Sequence, residues 1–131
     1  IKAVPVNTDE RKNAYWWYPI LLDIDKLDCD APQFVKYLQK EGIPCYGILW
    51  PEAYEEKAYK EHNGFGTAKF PFRSKEYTDP KSVEYDKAFC PTANKLRKET
   101  FSLFLHPSWE EHHIQRCIDG VKKVLDAHKK K

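Results

Sequence analysis

The feature that most limits the fold of this chain is a helix signal bounded at both ends, with an apolar segment on each side. Asp30 is a favourable N-cap residue, and Pro32 and Gln33 follow it at positions that suit the first helical turn. Gly42 stands where a helix commonly ends in the left-handed conformation. The apolar stripe that this helix is predicted to bury consists of Phe34, Val35 and Leu38. A helix between two strands favours a mixed fold.

Three segments are predicted to be strands. Residues 18–25 read YPILLDID and alternate between apolar and polar positions, as a half-buried strand does. The predicted core-facing residues of this strand are Ile20, Leu22 and Ile24. Residues 45–50 are predicted as a second strand and residues 100–105 as a third.

Further helices are predicted after the second and third strands. A weak helix is expected to open at Pro51, and Pro91 opens a better one. Ser108 and Glu111 form an S-x-x-E pattern, which predicts a capping box for the C-terminal helix. The residues that keep helical spacing in that last helix are Ile114, Cys117, Ile118, Val121, Leu125 and His128.

The order of these segments predicts an α/β (α+β) fold, with a small three-stranded, mainly antiparallel sheet and helices packed on one face. The chain of 131 residues is predicted to form a single domain over residues 1–131. Within it, residues 62–80 contain glycines, prolines and aromatic residues without a stable period, and we expect a long irregular loop there.

Composition narrows the class of function. The formal net charge of +2 argues against nucleic acid as a partner, and no apolar run is long enough to span a membrane. The start of the chain also lacks the pattern of a signal peptide, so we expect a cytoplasmic protein. The sequence has no methionine and opens on IKAVPV, which predicts a piece of a longer protein.

The cysteines and histidines do not form a recognisable metal motif. The chain has 4 cysteines, without a C-x-x-C pair, and we expect them to be reduced and mostly buried. His106, Glu110 and His113 lie near the start of the last helix, with His112 beside them, and surface or capping roles are favoured over a metal site there. No metal site, cofactor site or catalytic residue is predicted.

Aromatic residues at the exit of the second strand are the main candidates for binding. In the segment GIPCYGILWPEAY, residues 42–54, the predicted strand ends on Trp50, and Tyr54 follows at the exit of the strand. Arg73 lies in the predicted loop within the motif FPFR, and its guanidinium group suits a carboxylate or a phosphate. An ordinary surface salt bridge is the alternative for Arg73.

The motifs of this chain, taken in order, resemble a known family. They are YWWYPILLDID, QKEGIP, YGILWPEAY, CPTANKL and TFSLFLHPSWEEHHIQRCIDGVKKV. Their order is similar to the C-terminal, smaller domain of the DegT-type sugar aminotransferases, which are pyridoxal-phosphate (PLP) enzymes of the aspartate-aminotransferase fold (fold type I). The resemblance covers the chain from about Tyr15 to Leu125.

The resemblance implies a function for a longer protein. Such enzymes transfer an amino group from glutamate or glutamine to a keto sugar or keto-cyclitol, through a lysine Schiff base on PLP. That lysine and the acidic partner of the pyridine nitrogen lie in the large N-terminal domain, so the fragment would be inactive and hold no cofactor itself. The full-length enzyme would be a homodimer. Trp50, Tyr54 and Arg73 would face the substrate, although Leu49-Trp50 replaces the family's usual histidine-tyrosine pair.

Two other functions are compatible with the residues. In the first, the chain is a stand-alone module that binds a small molecule or a peptide in a cleft near Trp50, Tyr54, Phe70 and Arg73. In the second, the chain is a metal-dependent hydrolase that uses His106, His112 and His113, which lack the usual spacing of metal ligands.

Overall fold

The structure is a computed structural model that describes residues 1–3, 7–67, 69–76, 79, 84–85 and 90–130. Positions 68, 77, 78 and 80 of the predicted loop lie outside the described residues. The chain divides into two compact units. The first consists of Ile1–Ile48 and Lys95–Lys131, and the second of Leu49–Asn94.

An antiparallel sheet forms the centre of the first unit, so the α+β class is confirmed. The strands are β1 (Lys2–Ala3), β2 (Trp17–Leu21), β3 (Cys45–Tyr46) and β4 (Thr100–Phe104). Their order in the sheet is β1-β2-β4-β3, and every neighbouring pair is antiparallel. The prediction of three strands is therefore wrong. The additional strand, β1, is two residues long and pairs with Leu21 and Ile20, and so short a segment has no alternation that a sequence pattern can reveal.

Four α-helices accompany the sheet in the described part of the chain. They are α1 (Ala31–Lys40), α2 (Lys57–Lys60), α3 (Pro91–Glu99) and α4 (Glu111–Ala127). Short 3-10 helices occur at Ile24–Lys26 and Ala53–Glu55, and the second of these lies in the region of the weak helix predicted from Pro51. None of the described helices is both long enough and apolar enough to cross a membrane.

The ends of α1 confirm the prediction. The side chain of Asp30 accepts a hydrogen bond from the backbone N–H of Gln33 at 3.0 Å, which satisfies one of the donors left open at the start of the helix. Gly42 has a φ of 73°, a left-handed conformation that side-chain-bearing residues rarely adopt. Together the two residues fix where α1 begins and ends.

The main core lies between α1, α4 and one face of the sheet. Phe34 of α1 and Phe101 of β4 are fully buried, and their ring centroids are 5.3 Å apart. Ile20 of β2 and Cys45 of β3 are buried in the same cluster. Burial of each large apolar side chain contributes roughly 1.5–3 kcal/mol, so this cluster is the main stabilising feature of the first unit.

The start of α4 differs from the prediction. Its N-cap is Glu110, whose side chain accepts from the backbone of His113, while the His113 ring accepts from the Glu110 N–H at 3.2 Å. Ser108 does not cap the helix; its Oγ lies 2.6 Å from Nδ1 of His106. The reciprocal hydrogen bonds between Glu110 and His113 form the capping box that was predicted for Ser108 and Glu111, and the N-cap lies two residues later than predicted.

The buried side of α4 is also rotated from the predicted stripe. Cys117, Val121 and Val124 are buried, whereas Ile114 and Ile118 are 49% and 41% exposed. Gly120 lies on the buried side, because a Cβ atom at that position would be 2.6 Å from Cγ1 of Ile43. The close approach of Ile43 explains why a residue with poor helix propensity occurs in the middle of α4.

Candidate functional site

The predicted binding residues all belong to the second unit. Trp50 is 62% exposed, Tyr54 is half-buried in the 3-10 helix, and Arg73 is exposed. Among the described residues, no ring contact or hydrogen bond joins these three side chains to one another. These three side chains therefore belong to the same unit but do not form a preformed pocket.

Arg73 instead contacts a cluster of rings that the sequence did not predict, here called the His62 cluster. Its members are Tyr59, His62, Phe72 and Tyr85. Phe72 stacks on His62, with centroids 5.6 Å apart and planes inclined by 16°. Nε of Arg73 donates to Nδ1 of His62 at 3.1 Å. The Nε–H is the donor in this bond, so the terminal nitrogens are the groups that Arg73 would offer to a carboxylate.

A tight turn precedes Arg73 in the chain. The backbone groups of Phe65 and Phe70 exchange two hydrogen bonds, at 2.8 and 3.0 Å, and Lys69 closes the turn on Gly66 at 3.1 Å. Phe65 is 83% exposed at this turn. The motif FPFR thus begins on an exposed turn, and its last two residues reach the His62 cluster.

The sequence held only a weak signal for the His62 cluster. Tyr59, His62 and Phe72 lie within the region of the weak helix and the long loop, where no period indicates which side chains meet. The one indication in the sequence was the number of aromatic residues in this region, and that number does not show which rings contact one another. Long-range contacts between loop residues therefore escape prediction from local patterns.

The first unit has a second sheet face, defined by Trp17, Pro19, Tyr46, Ser102 and Phe104. These residues share one side of the sheet because they are paired directly across β2, β4 and β3. The rings of Trp17 and Tyr46 meet edge to face, with centroids 5.0 Å apart. In contrast to the core face, every residue of this second face is at least partly exposed.

A groove with basic residues borders this second sheet face. It is lined by residues of the segment 11–17 together with Pro19 and Ser102, and Arg11 and Lys12 provide its positive charge. Trp16, beside the groove, is 76% exposed. An aromatic surface of this kind is more typical of a protein interface than of free protein surface.

The histidines near the start of α4 contact neighbouring backbone and side-chain groups. The ring of His113 accepts from the Glu110 N–H, and His106 is bonded to Ser108. His112 lies 3.4 Å from a carboxylate oxygen of Glu110. Among the described residues, these histidines do not belong to any group of three or more side chains that could hold a metal ion. A hydrolytic metal centre at this position therefore has no support.

One group of metal-ligand side chains occurs elsewhere in the first unit. Asp28, Cys29 and His128 each place one ligand atom within 4.8 Å of the others. The ring nitrogen Nδ1 of His128 lies 2.8 Å from Oδ1 of Asp28. This group could not be predicted from the sequence, because Asp28 and His128 are separated by 100 residues and meet only through the fold.

The cysteines are all free, as predicted, and three of the four are buried. Burial raises the pKa of the Cys45 thiol to about 11, with a smaller effect from Cys117. Burial also raises the pKa of Cys29, and the nearby carboxylates of Asp28 and Asp30 add to the effect. These thiols are neutral at physiological pH and are not activated nucleophiles.

Lysine side chains are the groups that could hold PLP covalently. Those that the structure describes are exposed, apart from Lys69, which is half-buried and donates from Nζ to the backbone oxygen of Glu61 at 3.1 Å. A Schiff-base lysine is usually activated in a desolvated site or beside another cation. The described lysines other than Lys69 are not desolvated, because they are exposed.

Comparisons with known proteins do not identify the chain. No protein-family model matches the sequence, and no curated protein matches it. A function can therefore be proposed only from the resemblance of its motifs to the DegT-type aminotransferases and from the exposed second face of the sheet.

Proposed function

We propose that this chain is the C-terminal small domain of a PLP-dependent aminotransferase of the DegT type. The enzyme would transfer an amino group from glutamate or glutamine to a keto sugar or keto-cyclitol. The observation that carries the proposal is the sheet itself. Its core face is filled by α1 and α4, and its second face presents Trp17, Tyr46 and Phe104 partly exposed.

Exposed apolar side chains extend beyond the second sheet face. A protein that functions alone rarely leaves so many large apolar residues in contact with water, whereas a domain that packs against another must present them. Among the described residues, the exposed large apolar side chains of the first unit are Ile1, Trp16, Tyr46, Ile48, Leu96, Ile114 and Ile118, and those of the second unit are Leu49, Trp50, Tyr59, Phe65 and Phe70. In the proposal, part of the apolar surface of the first unit packs against the large domain.

In this proposal the large domain supplies the catalytic groups, and this chain supplies contacts to the substrate. The large domain would supply the Schiff-base lysine and the acidic partner of the pyridine nitrogen, and PLP would supply the electron sink for amino transfer. This chain would contribute to the substrate side of the cleft through Trp50, Tyr54 and Arg73. Arg73 suits a substrate carboxylate, and its edge is already oriented by His62. The complete enzyme would be a cytoplasmic homodimer.

The proposal is tested on the full product of the gene that encodes this chain. With PLP and glutamate, it should convert a keto sugar or keto-cyclitol to the corresponding amine, detected by mass spectrometry. Trp50→Ala should raise the KM for the acceptor by about tenfold, which corresponds to roughly 1.4 kcal/mol of lost binding. Lys122→Ala, at an exposed residue of α4 outside the second sheet face and the proposed cleft, is the control and should leave this KM unchanged. Absence of transamination with every acceptor tested, while PLP is bound, would argue for another PLP reaction.

The stand-alone binding module is a second candidate, and the His62 cluster is the observation that favours it. The second unit holds its own group of stacked rings with an arginine bonded to one of them. Such a module should bind a carboxylate-bearing sugar or peptide as the isolated chain of 131 residues. Calorimetric titration separates the two candidates, since the small domain of a two-domain enzyme should show no such binding alone.

A further inference from the structure

A second chemical site lies where the C-terminal end of α4 meets the segment that precedes α1. Asp28 and Cys29 come from that segment, and His128 is the C-cap of α4. The backbone N–H of Asp28 also donates to the carbonyl of His128 at 3.0 Å, so main-chain and side-chain contacts both hold the two regions together. The residues therefore do not depend on flexible side chains alone for their proximity.

The His128 ring is held in place from a second direction. Tyr37 of α1 stacks on it, with ring centroids 4.0 Å apart and planes inclined by 15°. A ring held by stacking loses little further freedom when it binds a ligand, so His128 is restrained before an ion arrives. The side chain of His128 is 22% exposed and that of Asp28 is 59% exposed, so an ion can reach the group from solvent.

The types of ligand select one class of ion. A thiolate, an imidazole and a carboxylate together suit zinc and similar divalent ions, whereas magnesium and calcium prefer oxygen ligands alone. Asp28 and Asp30 both lie close enough to Cys29 to act on its thiol electrostatically, so two carboxylates flank the thiol. From these residues we propose that Asp28, Cys29 and His128 form a binding site for Zn²⁺ or a similar divalent transition-metal ion.

The geometry requires only a small adjustment. Tetrahedral zinc with bonds of about 2.0–2.3 Å places its ligand atoms about 3.3–3.6 Å apart. The three ligand atoms lie within 4.8 Å of one another, and the shortest pair, Nδ1 of His128 and Oδ1 of Asp28, must separate from its hydrogen-bond distance of 2.8 Å. Because the Asp28 side chain is mostly exposed, it can rotate to allow this.

Binding of the ion exchanges protons for metal bonds. Cys29 gives up its thiol proton to solvent and coordinates as the thiolate, and His128 coordinates as the neutral ring. A fourth position remains for water, since three protein ligands are present. The ion would join the end of α4 to the start of the α1 region.

Titration of the purified, reduced chain with Co²⁺ tests the site, because a thiolate bound to cobalt gives a charge-transfer band in the near ultraviolet. We expect a band that saturates at one ion per chain and is abolished by an equivalent of Zn²⁺. Cys29→Ser and His128→Gln should each remove the band or weaken Co²⁺ binding at least tenfold. Cys90→Ser, at the one exposed cysteine of the chain, and His106→Gln are the matched controls and should leave it unchanged.

Two results would overturn the site. One is the absence of a saturable band in the unaltered chain. The other is a band that persists in Cys29→Ser or His128→Gln but disappears in Cys90→Ser, which would assign the cobalt to the exposed thiol. Circular dichroism establishes that each variant is folded, and Asp28→Asn replaces any that is not, with weaker binding expected. These outcomes are independent of whether the longer protein is an aminotransferase.

Discussion

Replacement of Gly120 by alanine tests the packing of α4 on the loop that follows α1. In an isolated helix this change is stabilising by up to about 1 kcal/mol. Here the new Cβ would lie 2.6 Å from Cγ1 and 2.7 Å from Cδ1 of Ile43, and Ile43 is only 3% exposed, so it cannot swing aside into solvent. Overpacking of a core costs typically about 1–3 kcal/mol, and two contacts this short place the cost in the upper part of that range. Because the gain in helix propensity offsets part of this cost, Gly120→Ala should lower the free energy of unfolding by about 1–2 kcal/mol.

Urea unfolding followed by circular dichroism measures this change. Gly47→Ala is the matched control, because a Cβ at that position would have no atom within 4 Å, and we expect a change below about 0.5 kcal/mol. Ile43→Ala removes both atoms that obstruct the new Cβ, so Gly120→Ala should be tolerated better, and become neutral or stabilising, in the Ile43→Ala background. A stabilising effect of Gly120→Ala in the unaltered protein would refute the packing described for Ile43.

Three further changes test other parts of the fold. Asp30→Ala should cost about 1 kcal/mol in urea unfolding, because the Gln33 N–H loses its cap. Phe34→Ala should cost about 3–5 kcal/mol, whereas Phe65→Ala, at an exposed ring, should stay within about 0.5 kcal/mol. Because burial raises the Cys45 pKa from 9.0 to about 11, the folded state keeps a proton that the unfolded state releases. The neutral Cys45 thiol contributes fully to the free energy of unfolding below pH 9, and this contribution falls by up to about 3 kcal/mol as the pH rises to 11. The free energy of unfolding should therefore decrease less over this pH range in Cys45→Ala.

Local patterns predicted the elements whose signals are complete within a few residues. For α1, the cap at Asp30 and the left-handed Gly42 were both confirmed. The predicted start of α4 was wrong because two capping patterns overlap there. Glu110 and His113 satisfy each other's backbone groups, while Ser108 is bonded to His106. When two capping patterns are both locally possible, the sequence does not show which one forms in the folded protein.

Features that depend on distant residues were not predictable. Strand β1 exists because Lys2 and Ala3 meet β2, and the group of Asp28, Cys29 and His128 depends on how α4 ends. The exposure of Ile114 and Ile118 follows from the rotation of α4 that places Gly120 against Ile43. Each of these depends on tertiary packing, which periodicity within one segment does not contain.

The most direct test of the proposed function is the location of the Schiff-base lysine. The full product of the gene should be purified with PLP, reduced with borohydride and digested, and the modified lysine located by mass spectrometry. The proposal predicts a single modified lysine outside the 131 residues of this chain, in a large N-terminal domain. A modified lysine within these residues, or no specific modification, would contradict it.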